Sequence, residues 1–198
     1  LIHLPNILTL SRIPCLFLVG ILLYCPFEGA STLAFFLYVI GSMTDWLDGF
    51  LARRYGMVSA FGKLMDALAD KVFVVGVCVT FLALGLLPLW SLFLILMILA
   101  REFFVTGLRL VAASRGRVLA AEAAGKLKTC IQLISLGVLL ATHALQQNGW
   151  FNFCNEFLNA VTQIGLFLFC VATILTIYSG MGYVFRYGDL LKETPPNR

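Results

Sequence analysis

A chain of 198 residues that is 61% hydrophobic and only 12% charged, with a mean hydropathy of +0.95, is not composed for water. Soluble domains carry roughly 25% charged and about 45–50% apolar residues, so a soluble globular fold is excluded as the main architecture. The net charge of +4 follows the distribution of Lys and Arg described below, and nothing in it calls for a nucleic-acid partner.

A membrane-spanning helix needs about 20 mainly apolar residues. Six stretches qualify in chain order, near 5–25, 31–53, 60–86, 88–112, 119–146 and 156–185. This predicts an all-α integral membrane protein, a six-helix bundle forming one domain over 1–191. Pro88 is a natural first-turn residue for the fourth helix. Residues 192–198, with two prolines and several polar side chains, are expected to form a mobile tail. Position 1 is Leu rather than Met, so a targeting segment ahead of it stays open.

The 14 basic residues cluster at the N-terminal end, at the second and fourth connections and at the C-terminus. The connections around 25–31, 85–90 and 142–156 hold none. By the positive-inside rule both termini face the cytoplasm, which demands an even number of spans. The six cysteines form no C-x-x-C pair and lie mostly in apolar runs, where cysteine packs as a small hydrophobe. Cys25 and Cys154, near loops on the same predicted side, are the one pair placed for a disulfide.

Within these apolar helices stand four acids. Asp45 and Asp48 are spaced i, i+3 in the second, and Asp66 and Asp70 are spaced i, i+4 in the third, so each pair shares one helix face. Asp45 lies nine residues before Arg54, roughly 13 Å below it at 1.5 Å per residue. The other pair returns to a comparable depth beyond a short connection, which makes the two helices antiparallel neighbours. Two carboxylates about 6 Å apart repel by roughly 3 kcal/mol at an effective dielectric near 20, so such a cluster takes up protons or binds cations. Hard oxygen donors without His or Cys favour Mg²⁺, Mn²⁺ or Ca²⁺, and two bridged ions would suit phosphoryl chemistry. On spacing alone, an ion pathway, a proton relay, or acids neutralised by Arg53 and Lys71 stand beside the enzyme reading.

Residues 45–70 read DWLDGFLARRYGMVSAFGKLMDALAD. This resembles the signature D-x-x-D-G-x-x-A-R-x8-G-x-x-x-D-x-x-x-D of the CDP-alcohol phosphatidyltransferase family, every fixed position being present at the right spacing. The resemblance implies six transmembrane helices, a homodimer, and two divalent ions, Mg²⁺ or Mn²⁺. It implies that Asp45, Asp48 and Asp66 are metal ligands and that Asp70 is both a ligand and the general base. Gly49, Arg53 and Gly62 correspond to positions that hold the CDP part of the donor lipid, and Ser59, Asn6, Thr9 and Arg12 are further candidates for that pocket.

The acceptor is read elsewhere. Residues 100–129, AREFFVTGLRLVAASRGRVLAAEAAGKLKT, and residues 4–13, LPNILTLSRI, are similar to the corresponding segments of bacterial phosphatidylglycerophosphate synthases. That likeness implies CDP-diacylglycerol as donor, sn-glycerol 3-phosphate as acceptor, and a bacterial inner membrane with the site facing the cytoplasm. Arg101, Arg109 and Lys126 are then the positions for the acceptor phosphate, cations at membrane depth beside a cluster of acids. Against this, Arg101 could simply pair with Glu102 and Arg109 could simply end a helix. Arg115, Arg117 and Lys128 read as solvated or headgroup-facing charges. Inositol phosphate, serine or phosphatidylglycerol are rival acceptors, and a cation or proton-coupled transporter is the rival outside the family.

Overall fold

The computed structural model describes the backbone of residues 4–55, 60–114, 123–147 and 155–187, and side chains within 11–44, 68–114, 127–147 and 155–187. Among the described residues there are six α-helices and no strand: α1 (Leu4–Tyr24), α2 (Ala30–Tyr55), α3 (Ala60–Ala83), α4 (Ser91–Ser114), α5 (Ala123–Gln147) and α6 (Asn155–Tyr187). Each coincides with one apolar stretch of the sequence. Among the described residues three segments, Ser91–Ser114, Leu127–Gln147 and Asn155–Tyr187, are long and apolar enough to cross a membrane.

The helix ends follow from local chemistry. Gly85 has φ of 73°, and it closes α3: Leu86 N–H donates to Phe81 C=O at 2.9 Å and Gly85 N–H to Leu82 C=O at 3.2 Å. This pair of bonds satisfies carbonyls that a helix end otherwise leaves bare. Pro88 does not begin α4. It opens a turn in which its carbonyl accepts from Ser91 N–H at 2.9 Å, and the helix starts there, three residues later than the proline rule predicts.

Packing is tightest along the middle of the bundle. Val19, Phe81, Leu136, Leu140 and Phe169 are fully buried. Phe17, Phe36, Phe93, Phe167 and Phe185 point outward, an inversion expected of a chain whose solvent is hydrocarbon rather than water. In place of a hydrophobic drive between helices, close backbones and interhelical hydrogen bonds hold the bundle. Gly76 leaves room for Leu16 of α1 where any Cβ would collide with it. Tyr38 on α2 donates to Leu133 C=O on α5 at 2.7 Å, and Ser135 on α5 donates to Gly165 C=O on α6 at 2.8 Å. Ser31 and Gln147 bond at the far end of the α2–α5 pair. Together with Tyr38–Leu133, this makes α2 and α5 antiparallel.

Candidate active site

Among the described residues, helices α2 and α3 meet at Phe73. Phe73 stacks on Tyr38, with ring centroids 5.9 Å apart, and its ring edge lies where a Cβ on Gly41 would be only 3.0 Å away. Gly41 is one turn before Asp45 on α2, and Phe73 is three residues after Asp70 on α3. The contact therefore sets the two acidic stretches at the same level along antiparallel helices. The side chains of Asp45, Asp48, Asp66, Asn6, Thr9, Arg53 and Lys126 lie outside the described residues, the surroundings of Gly49 and Gly62 are likewise outside them, and Ser59 lies outside them altogether. Among the described residues no group of three or more metal-binding side chains is present.

Asp70 is half-buried and lines a cleft between α3, α4 and α5. Its polar neighbours in that wall are Lys71, Glu102, Lys128, Thr129 and Gln132, over an apolar floor that includes Val74 and Ile98. Lys128 reads from sequence as a solvated charge, but the structure corrects this: its side chain is 5% exposed and ion-paired with Glu102. The reason is its place on α5, where a basic side chain one helical turn into an apolar bundle gains a carboxylate partner instead of water. Arg101 Nη1 bonds the same Glu102 oxygen at 3.1 Å, so one carboxylate serves two cations. Asp70 and Lys71 lie near enough to Lys128 to act on its charge.

Arg101 does more than pair with Glu102. Its guanidinium donates to Ser179 Oγ on α6 at 2.8 Å and lies 5.9 Å from the centroid of the Tyr183 ring. Arg109, two turns along α4, donates to the Tyr183 hydroxyl oxygen at 2.6 Å and stands 5.3 Å from the same ring centroid. Both arginines are thus held against α6 by one tyrosine, through hydrogen bonding and cation–π attraction. Gly180 makes the approach feasible, because a Cβ there would meet Arg101 Cγ at 2.7 Å.

The structure brings Asp70 and, through Glu102, Arg101 to one cleft, with Arg109 along the same helix. Arg12 is buried on α1, 1% exposed, and is not part of that cleft's lining. Sequence reading missed Lys128, Gln132, Ser179 and Tyr183. The first two carried a signal, being polar residues spaced i, i+4 in an apolar helix. Ser179 and Tyr183 carried none, since they fall within a long apolar span. Cys25 has a free thiol, and Cys154, like the tail 192–198, lies outside the described residues.

Comparison with known proteins covers nearly the whole chain. Residues 2–178 match the family model described as CDP-alcohol phosphatidyltransferase. The chain is 34% identical to the CDP-diacylglycerol--glycerol-3-phosphate 3-phosphatidyltransferase of Bacillus subtilis (strain 168), over 97% of this chain and 98% of that protein. It is 36% identical to the Rickettsia typhi protein of the same name, over 89% and 94% of the two chains. The Salmonella choleraesuis protein of that name is 31% identical, over 96% and 98%.

Proposed function

The chain belongs to the CDP-alcohol phosphatidyltransferase family, and from that premise we propose that it transfers the phosphatidyl group of CDP-diacylglycerol to sn-glycerol 3-phosphate. The products are phosphatidylglycerol phosphate and CMP. It is an integral membrane enzyme of phospholipid synthesis. The observation that carries the acceptor is the end-to-end similarity to relatives named for glycerol 3-phosphate.

The chemistry is a displacement at phosphorus. The acceptor hydroxyl attacks the lipid-side phosphorus of the diphosphate, the bond from that phosphorus to the CMP oxygen breaks, and the hydroxyl proton passes to Asp70. Asp70 suits this role because it lines a cleft with cations on the opposing helices. Gly49, Arg53, Gly62 and Ser59, with Asn6, Thr9 and Arg12 of α1, would hold the CDP portion. Arg101, Arg109 and Lys126 would hold the acceptor phosphate, which a guanidinium can grip with two parallel bonds. The donor set of Asp45, Asp48, Asp66 and Asp70, all carboxylates on helices registered by Phe73, fits two hard cations such as Mg²⁺ or Mn²⁺. When bound there, the ions would offset charge on the diphosphate and on departing CMP.

The same reading gives all six helices as spans, both termini cytoplasmic, the cleft opening to the cytoplasm of a bacterial inner membrane, and a homodimer. The diacyl tails stay in the bilayer while the headgroups react at its edge. The decisive test is purified protein with CDP-diacylglycerol, sn-glycerol 3-phosphate and Mg²⁺ or Mn²⁺, with products identified by mass. Phosphatidylglycerol phosphate and CMP are expected in equal amounts, and a chelator abolishes both. Preference for inositol phosphate, serine or phosphatidylglycerol would overturn the acceptor, and no product with any acceptor would overturn the reaction.

A further inference from the structure

We propose that the side-chain amide of Gln132 donates a hydrogen bond to the C2 hydroxyl of the bound acceptor and thereby makes the enzyme prefer a phosphate-bearing diol to a simple hydroxyalkyl phosphate. This rests on the reaction proposed above. Gln132 is 3% exposed, and its Nε2 is sealed from solvent with no partner in hydrogen-bonding geometry among the described residues. The Cys78 thiol of α3 lies within reach of the same amide, but sulfur is a weak acceptor. A buried amide donor left without an oxygen partner is costly, and such groups in native folds call for a specific explanation.

The position of the residue supplies one. Gln132 lines the cleft together with Asp70, Glu102 and Lys128. It lies nine residues into α5 from Ala123, and Asp70 lies ten residues into α3 from Ala60, which puts both roughly 14–15 Å from the start of their helices. These helices touch and run the same way, each being antiparallel to α2. Lys128, one turn nearer the helix start, marks the charged tier, about 6 Å from Gln132 along the axis. That separation matches the reach of a three-carbon phosphate, with the phosphate among the cations and the hydroxyls beside Asp70. At the inner tier the neutral amide is suited to a hydroxyl, because it offers a donor without drawing in a second phosphate. A buried site built to bond a hydroxyl discriminates against a substrate that lacks it.

The test compares sn-glycerol 3-phosphate with 3-hydroxypropyl phosphate, which retains the attacking hydroxyl and lacks the one at C2. Full-length wild type, Gln132→Met and Cys78→Ala are assayed in detergent with CDP-diacylglycerol and a divalent metal. Wild type is expected to favour glycerol phosphate in kcat/KM. Gln132→Met loses about tenfold on that acceptor, chiefly through KM, while the deoxy acceptor and the KM for CDP-diacylglycerol change less than about twofold. Cys78→Ala keeps the wild-type preference. Equal losses on both acceptors, no loss on either, or collapse of the preference in Cys78→Ala would overturn the assignment. A wild type inactive with both acceptors refutes the reaction itself, an outcome seen before any variant is compared.

Discussion

At the scale of single residues, the cleft is an exercise in balancing charge where water is scarce. Lys128 and Arg101 share the Glu102 carboxylate, and Asp70 faces this group from α3. Replacing Asp70 by Asn keeps the shape and removes the base. Asp70→Asn is expected to retain CDP-diacylglycerol binding while turnover falls by about 10²–10⁴-fold, as measured by binding of a labelled donor alongside CMP release. Glu102→Gln removes the carboxylate that Lys128 and Arg101 share. Removing one partner of a buried pair costs about 3–5 kcal/mol, and the lower end applies because Glu102 is 19% exposed. The expected result is a lowered thermal midpoint in detergent, largely restored by the added change Lys128→Met. Of these residues, Asp70 was legible in sequence because an acid deep in an apolar run has few bland explanations. Lys128 was misread because a lysine near a helix start looks the same whether it faces headgroups or a carboxylate on another helix.

At the scale of helices, α6 supplies the wall on which Arg101 and Arg109 rest. It has 33 residues, about 50 Å at 1.5 Å per residue, which exceeds the roughly 30 Å of a bilayer core. Its last turns therefore reach the end of α4 and carry Ser179, Gly180 and Tyr183 to Arg101 and Arg109. Gly180→Ala places a methyl group where Arg101 Cγ now passes. It is expected to raise the KM for the acceptor about tenfold or more, consistent with the cost of misplacing a positioning group by about 1 Å. The KM for CDP-diacylglycerol should stay near the wild-type value, and steady-state kinetics with each substrate varied in turn checks both. None of this was visible in the order of residues, since small residues in an apolar helix have many uses. Only the crossing of α4 over α6 selects this one.

At the scale of the whole molecule, the outward-facing aromatic residues and the polar cleft describe a protein that keeps apolar surface in lipid and chemistry at one end. If all six helices span, single cysteines placed at the two termini of an otherwise cysteine-free variant become labelled from the same side of inverted vesicles. Labelling from opposite sides would mean an odd number of crossings. The positions of the six helices were legible from apolar length alone, because an unsatisfied backbone in hydrocarbon permits little besides a helix. The carboxylate pairs stand out in the sequence for a related reason: charge is so costly in an apolar helix that it marks a candidate site. What only the tertiary structure decided is which charges and dipoles meet. The sharing of Glu102 by Lys128 and Arg101 and the tyrosine held between two arginines join helices distant in sequence. Their energies depend on separations of a few ångströms between side chains, and such separations arise only from packing.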